Sequence, residues 1–203
     1  RPPPGADLAA WPQWRGPTRD GVVPAGGPEW PERLEPESLA VAWRVADLGP
    51  SYAGPVADRE RVYSVETRDR EREVVRAFDR ATGEERWRAE WPGAMKVPFF
   101  AAKNGSWVRS TPALADGRLY VAGMRDVLVC LDAATGEELW RADFVERLGT
   151  PLPDFGFVCS PLVEDGAIYV QAGASLVKLD AATGEIQWRS LADGGGMNGS
   201  AFS

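Results

Sequence analysis

The chain has 203 residues, of which 44% are hydrophobic, and it carries a formal net charge of −7 with no histidine. The absence of histidine excludes Ser-His-Asp and Cys-His nucleophilic sites, His-ligated zinc and imidazole acid–base chemistry within this chain. The acidic balance argues against a nucleic-acid partner, which needs clustered lysine and arginine, and no apolar run approaches the roughly 20 residues of a transmembrane helix.

The first part of the chain is rich in proline. Residues 1–38 hold nine of the 17 prolines and show no sustained periodicity. This composition predicts an irregular N-terminal arm that lies against the rest of the molecule and is not a domain. The next segment, residues 39–46, contains Trp43-Arg44, and the same Trp-Arg pair recurs three times further along the chain. We therefore predict that residues 39–46 form a strand of the same kind as those that carry the later pairs.

A nine-residue motif, D-x-x-T-G-x-x-x-W, occurs three times at a spacing of about 50 residues. Aspartate and threonine side chains bond backbone amides within a turn, and glycine takes the positive φ that the turn requires, so each copy predicts a β-hairpin. The tryptophan follows on the next strand, where its large apolar surface suits packing between neighbouring sheets. The motif positions, to which we assign a structural role, are Asp79, Thr82, Gly83 and Trp87, then Asp132, Thr135, Gly136 and Trp140, then Asp180, Thr183, Gly184 and Trp188.

A second repeated pattern precedes each hairpin. Pro55, Pro112 and Pro161 each stand eight residues before a tyrosine, with a turn in between. Because proline cannot donate a hydrogen bond to a neighbouring strand, the strand that contains it is expected at a sheet edge. Each unit is then four antiparallel strands, with the proline strand at one edge and the tryptophan strand at the other.

Radial repetition of such sheets is a β-propeller, so we predict an all-β fold in which each four-stranded antiparallel unit is one blade. The blades are predicted at residues 52–91, 107–144 and 157–191, and residues 197–203 align with the start of a fourth. Closed propellers have about four to eight blades. We therefore expect a partial ring that needs the remainder of a longer protein to close, with residues 39–46 as the outer strand that completes the last blade.

The segment Leu131–Trp140 resembles the PQQ-like repeat of quinoprotein dehydrogenases and of BamB-like outer-membrane assembly lipoproteins, and the repeats cover roughly residues 40–203. The opening segment Trp11–Pro17, followed by Arg19-Asp20-Gly21, is similar to the start of exported PQQ-like repeat proteins of planctomycete-type bacteria. The resemblance implies a location in the periplasm or at the cell surface.

Strand order places the long connections at one end of the blades, which we call the upper face. The crossovers 91–106 and 143–157 and the charged hairpin tip at 66–73 lie there, and we expect this tip to be solvated. Long irregular loops on a rigid scaffold commonly carry binding sites. The candidate binding residues are Lys96, Lys103, Asn104, Trp107, Arg109, Asp154, Phe155 and Phe157, with Phe99 and Phe100 beside them.

Each of these candidates also has a structural alternative. The aromatic side chains serve equally well to fix the crossovers onto the blades. Arg109 lies at the start of an inner strand, near the central channel, where a guanidinium either contacts an anionic ligand or pairs with a neighbouring acid. We favour the acidic partner.

Three functions remain open. We favour a non-catalytic exported scaffold that binds a protein or polymer partner on its upper face and needs no cofactor. The second, implied by the resemblance, is a PQQ- and calcium-dependent alcohol or sugar dehydrogenase with most catalytic residues outside this chain, and the third is the sensor part of a larger membrane protein. The dehydrogenase needs an acidic base and oxygen ligands for calcium, and we assign no catalytic or metal-binding residue here.

The two cysteines also count against the dehydrogenase. The resemblance leads us to expect adjacent cysteines near the quinone, whereas Cys130 and Cys159 fall in different blades. At a strand separation of about 4.8 Å they are not expected to approach within the roughly 7 Å between Cα atoms that a disulfide requires.

Overall fold

Antiparallel four-stranded sheets dominate the structure, a computed structural model that describes residues 10–22, 32–36 and 40–192. Within those ranges there are three such sheets, each with its strands in chain order. The first contains β1 (Val56–Ala57), β2 (Arg61–Arg68), β3 (Arg72–Asp79) and β4 (Glu85–Pro92). The second contains β5 (Ala113–Ala115), β6 (Arg118–Gly123), β7 (Val127–Asp132) and β8 (Glu138–Asp143). The third contains β9 (Leu162–Glu164), β10 (Ala167–Ala172), β11 (Ser175–Asp180) and β12 (Ile186–Ser190).

The predicted all-β fold of four-stranded blades in an open, partial ring is confirmed. The proline strand is one edge of each sheet and the tryptophan strand is the other edge, because within its own sheet each of β1, β5 and β9 pairs with the second strand alone. The predicted start of a fourth blade, residues 197–203, lies outside the described residues.

Both crossovers contain a short helix that the sequence did not predict. The first includes a 3-10 helix, Phe99–Asn104, and the second includes α1, Phe144–Leu148. The carboxylate of Asp143 caps α1 by accepting a hydrogen bond from the Glu146 amide, and the helix ends at Gly149 in the left-handed region. Helical turns shorten these connections and hold their side chains in fixed positions over the blades.

The D-x-x-T-G motif forms the predicted turn in all three copies. In the second copy, Asp132 Oδ1 accepts hydrogen bonds from the amides of Ala134 and Thr135, both at 2.8 Å, and from the Thr135 hydroxyl at 3.1 Å. These donors favour the charged carboxylate and lower the pKa of Asp132. Gly136 takes a φ of 78° at the position where the chain turns back. The first and third copies repeat the same bonds.

The tryptophans of the first two outer strands pack on the turn of the next blade. The ring of Trp87 lies against Gly136, where an added Cβ would come within 2.5 Å of it, and Nε1 donates to the carbonyl of Ala133 at 3.1 Å. The hydroxyl of Tyr63, on the second strand of the same blade, donates to that carbonyl as well. The same contacts join the second and third blades through Trp140, Tyr120, Gly184 and Ala181.

Apolar side chains fill both inter-blade spaces. One cluster joins the first and second blades around Val75 and Val129, and the other joins the second and third blades around Leu128 and Val177. Cys130 belongs to the second cluster and Cys159 packs against it, and both thiols are free. Burial raises the pKa of Cys130 to about 12 and also raises that of Cys159, so both stay protonated at neutral pH.

The described part of the N-terminal arm crosses the inner edge of all three blades. Trp11 and Ala57 exchange two backbone hydrogen bonds, at 2.7 and 2.8 Å, along the free edge of β1. The carbonyl of Pro12 then accepts from Leu114 in β5, and the Arg19 guanidinium donates to the carbonyl of Val163 in β9. These contacts satisfy edge groups that a propeller otherwise leaves facing its channel.

Residues 40–46 have no regular secondary structure, yet Trp43 packs as the blade tryptophans do. Its ring lies on Gly83, where an added Cβ would approach within 2.6 Å, and its Nε1 donates to the carbonyl of Arg80 at 2.9 Å. Gly83 and the Arg80 carbonyl in the first blade correspond to Gly136 and the Ala133 carbonyl, which contact Trp87 in the second blade. The placement supports a ring-closing role for residues 39–46, which stays a prediction.

Alanine substitutions at two glycines of the second blade distinguish two contributions to stability: the backbone strain at positive φ and the contact with the tryptophan ring. Gly117 (φ 73°) has no atom within 4 Å of an added Cβ, whereas Gly136 (φ 78°) has the Trp87 ring there. We expect Gly117→Ala to lower the free energy of unfolding by about 1–2 kcal/mol through backbone strain alone. Gly136→Ala should cost a further 1–3 kcal/mol, roughly, because the ring must move. Chemical denaturation measures both, and equal losses would show that the contact contributes little.

Candidate functional site

The two crossovers and the first hairpin tip meet on the upper face, as the strand order predicts. The tip is the turn between β2 and β3, and the carbonyl of Glu71 there accepts hydrogen bonds from Gly93 and Ala94 in the first crossover, at 3.1 and 3.2 Å. The second crossover reaches the first through a ring contact between Phe100 and Phe155, whose centroids are 6.2 Å apart. The upper face is therefore one continuous surface built from the first two blades.

A cavity of about 500 Å³ opens on this surface. Its apolar lining comes mainly from Met95, Val97, Phe99 and Trp107, and its rim carries positive charge. The charged residues of the lining are Arg70, Lys96 and Lys103, with no acidic side chain among them. The structure thus brings together three predicted residues, Lys96, Lys103 and Trp107, and adds Arg70. Sequence reasoning treated Arg70 only as part of a charged tip.

Hydrogen bonds hold the cavity open. The amide of Val97 donates to the Ser106 hydroxyl at 3.1 Å, which ties the two ends of the 3-10 helix together. Tyr52, in the segment before the first blade, packs its ring 5.4 Å from that of Trp107 and donates its hydroxyl to the carbonyl of Asn104. Asn104 therefore contributes a backbone carbonyl that fixes the loop, while its side chain lies exposed outside the cavity lining.

Three phenylalanines form an exposed aromatic ridge beside the cavity. Phe99 is 91% exposed, Phe100 is 66% exposed and Phe155 is 38% exposed. Their rings meet in edge-to-face pairs, Phe99 with Phe100 at 5.8 Å and Phe100 with Phe155 at 6.2 Å. Large exposed apolar side chains grouped in this way mark interaction sites on soluble proteins.

Two predicted candidates lie elsewhere. Phe157 is fully buried against Phe144 in the space between the second and third blades, so the prediction that it faces a partner is wrong. Its ring packs into the cluster between the two blades although the next strand, β9, begins only at Leu162, and a sequence pattern does not show which crossover side chain turns inward. Asp154 is exposed next to Phe155 and lies outside the lining of the cavity.

Arg109 lines a second cavity of about 350 Å³, together with Trp14, Tyr52, Thr111 and Ser160. The favoured acidic partner is absent among the residues that the structure describes. One terminal nitrogen donates to the carbonyl of Gly105 at 3.3 Å, the guanidinium lies 5.1 Å from the Tyr52 ring centroid, and Nε is buried with no hydrogen-bond partner. This cavity is separated from the first by the Tyr52–Trp107 pair.

Buried carboxylates connect the blades near the upper face, and sequence reasoning missed them. Glu73, expected in a solvated tip, is 1% exposed and accepts hydrogen bonds from Trp91 Nε1 at 2.8 Å and from the Met124 amide of the next blade at 2.5 Å. Burial raises the pKa of Glu73, and these two donors oppose the shift. The expectation failed because the alternating charges of this segment suggest a solvated turn, whereas Glu73 already belongs to β3.

Asp126 makes the equivalent link from the second blade to the third. Its side chain is buried and Oδ2 accepts a hydrogen bond from the Gly173 amide at 2.8 Å, whereas Oδ1 has no partner among the described residues. Burial is the main reason that the pKa of Asp126 rises to about 6, and the nearby Asp143 carboxylate adds to it. Each upper hairpin is thus attached to its neighbour by a carboxylate in a poorly hydrated environment.

The described residues contain no group of three or more histidine, cysteine, aspartate or glutamate side chains placed to hold a metal ion. Trp11 and Pro12 also occupy the inner edges of β1 and β5, next to the channel in which a quinone would lie. Arg109, whose buried Nε has no hydrogen-bond partner among the described residues, lines a cavity and suits an anionic group.

These features define the class of the protein: it is a β-propeller of the PQQ-like repeat class, with three four-stranded blades in the described part of the chain. Residues 71–202 match the sequence profile of a family described as outer membrane protein assembly factor BamB. The chain belongs to this family, since the match covers more than half of it. No curated protein matches the chain significantly in sequence.

Solved structures of two functional kinds resemble the fold. BamB from Moraxella catarrhalis is 18% identical with a TM-score of 0.53, over 73% of this chain and 39% of that one. Quinohemoprotein alcohol dehydrogenase from Comamonas testosteroni is 27% identical with a TM-score of 0.53, over 70% of this chain and 21% of that one. A europium-containing methanol dehydrogenase is 21% identical with a TM-score of 0.52, over 74% and 26%.

This chain therefore spans between 21% and 39% of the length of these neighbours. The likeness supports the propeller fold and does not choose between a BamB and a dehydrogenase. In the ranges that the structure describes, no helix is long and apolar enough to cross a membrane.

The raised pKa of Asp126 predicts a pH dependence of stability. The folded state holds this proton up to a pH of about 6, whereas an unfolded aspartate releases it near 3.9, so ionisation between these values opposes folding. The free energy of unfolding of the wild type, relative to Asp126→Asn, should fall by up to about 3 kcal/mol as pH rises from about 4 to about 6, and then level off.

Urea denaturation across this pH range, with Glu137→Gln at an exposed turn as the control, measures the difference. A difference between wild type and Asp126→Asn that does not change with pH would mean that folding does not raise the pKa of Asp126.

Proposed function

We propose that this protein is a non-catalytic, exported β-propeller scaffold whose upper face binds a protein partner. One observation carries the proposal: the exposed aromatic ridge lies beside a cavity on the same face. The charged residues that line this cavity are three basic ones, with no acidic side chain among the lining residues. Membership of a family described as an outer membrane protein assembly factor supports it, as does the BamB neighbour. A location in the periplasm or at the cell surface follows from the same resemblance.

The contrast between the two ends of the blades supports a binding role for the upper one. At the lower end, the three D-x-x-T-G turns are short, repeated and engaged in holding neighbouring blades. At the upper end, the crossovers differ from each other in length and sequence and leave large side chains exposed. A scaffold that is rigid at one end and variable at the other is typical of propellers and other folds that present binding loops.

Photocrosslinking in the native cells tests this proposal. A benzoylphenylalanine at Phe100 should give discrete adducts with one or a few proteins, because this ring stands at the centre of the aromatic ridge. The matched control is Leu139, which is 45% exposed on β8 away from the upper face, and should give none of these adducts. The absence of adducts from position 100, or the same adducts from both positions, would contradict a partner site on the upper face.

A second candidate function is a PQQ- and calcium-dependent dehydrogenase, acting on an alcohol or sugar. Arg109 favours it, because a guanidinium with a buried, unpartnered Nε beside a cavity suits an anionic group such as the carboxylates of a quinone. The remaining groups of such a site, including the calcium ligands, would have to come from outside the described residues. No catalytic step is assigned to this chain.

Titration of the full-length protein with PQQ, with and without calcium, distinguishes the two functions. The scaffold proposal predicts no saturable change in tryptophan fluorescence, although Trp14 lies in the lining of the Arg109 cavity and would report on it. Saturable, calcium-dependent binding that Arg109→Gln abolishes would favour the dehydrogenase instead.

A further inference from the structure

The charge of the upper cavity is opposite to that of the protein. The chain carries a net charge of −7, yet the cavity lining contains Arg70, Lys96 and Lys103 and no acidic side chain. None of these three forms an ion pair within the described ranges. Most other arginines nearby do, among them Arg68 with Glu66, Arg72 with Glu90 and Arg76 with Glu85. Unpaired cations around one cavity of an acidic protein favour an anionic ligand through electrostatic complementarity.

The apolar part of the cavity sets a second requirement for its ligand, which must also present an apolar group. Val97, Phe99 and Trp107 line it, and its volume of about 500 Å³ exceeds that of one aromatic side chain. Cavities of about 300–1,000 Å³ with apolar walls and a few charged groups are typical of specific binding sites. The 3-10 helix and the Tyr52–Trp107 pair already hold the walls apart, so binding costs little reorganisation.

The extent of the surface indicates a macromolecular ligand. Phe100 and Phe155 belong to the aromatic ridge and are not part of the cavity lining, so a small anion in the cavity would leave their rings exposed to water. Burying exposed phenylalanine side chains is favourable, so a partner that covers the ridge as well as filling the cavity binds more tightly.

We propose that the partner presents an acidic segment with one aromatic or large aliphatic side chain, which enters the cavity between Val97, Phe99 and Trp107. Carboxylates on either side of this side chain pair with Arg70, Lys96 and Lys103, and the flanking residues cover Phe100 and Phe155. This inference rests on the proposed function and names the chemistry of the partner at the same site.

Selection of random peptides on the full-length protein tests this chemistry. Nine-residue peptides displayed on phage should become enriched in aspartate and glutamate around one aromatic or large aliphatic residue. The enrichment should vanish on the double variant Lys96→Glu and Lys103→Glu. It should persist on Arg33→Glu, which makes a charge reversal at an exposed position outside the cavity. Both variants are expected to fold, because neither of the two lysines is buried, and thermal melting verifies this.

Fluorescence anisotropy of the most enriched peptide then measures the two contributions. Replacement of its apolar residue by alanine should weaken binding by about tenfold or more, as expected for an anchor side chain. An increase of NaCl from 0.05 to 0.5 M should weaken binding by a similar factor, about tenfold, because exposed charge pairs are screened.

Several results would overturn the proposal. Enriched peptides that are basic or have no charge preference would do so, and so would enrichment that survives the double reversal. Displacement of the peptide by citrate at the same concentration would show that the site takes small anions. If the peptide tests fail but position 100 still gives specific crosslinks, only the acidic chemistry of the partner is rejected. If the peptide tests and the crosslinking both fail, the upper face is also rejected as a partner site.

Discussion

The contact between a tryptophan on one blade and a glycine on the next is the interaction on which the rest of this structure depends. Trp87 and Trp140 each place an indole ring on a glycine that has no Cβ and donate to the carbonyl that follows the aspartate of the same turn. The D-x-x-T-G turn therefore has two roles, since it reverses the chain within its own blade and receives the preceding blade. Trp188, the equivalent tryptophan on the outer strand of the third blade, is 39% exposed.

Fixing the blades at their lower ends leaves the upper ends free to differ. The upper hairpins are joined instead by single carboxylates, Glu73 to the amide of Met124 and Asp126 to the amide of Gly173. Each of these links keeps an acidic group out of water, which makes it weaker and more sensitive to pH than an indole packed on glycine. The crossovers above them carry the cavity, the aromatic ridge and the unpaired cations.

The family match and the fold agree on a propeller with PQQ-like repeats, and the residues on its surface then decide what this propeller can do. The N-terminal arm lies along the inner edges of β1 and β5 at Trp11 and Pro12, while the upper face combines basic side chains with exposed apolar surface. The aspartate, threonine, glycine and tryptophan of the repeat build the blade, so they do not distinguish one function from another.

The sequence by itself determined the blade: the repeated turn, the edge position of the proline strand and the strand order all follow from local rules that act within about 50 residues. It also grouped Lys96, Lys103 and Trp107 on one face, and all three line one cavity. Only the tertiary structure decided that Phe157 and Glu73 are buried, that Arg70 joins the cavity and that Arg109 has no acidic partner among the described residues. The physical reason is that burial and pairing depend on which side chains of neighbouring blades and crossovers meet, and a local pattern does not contain that information.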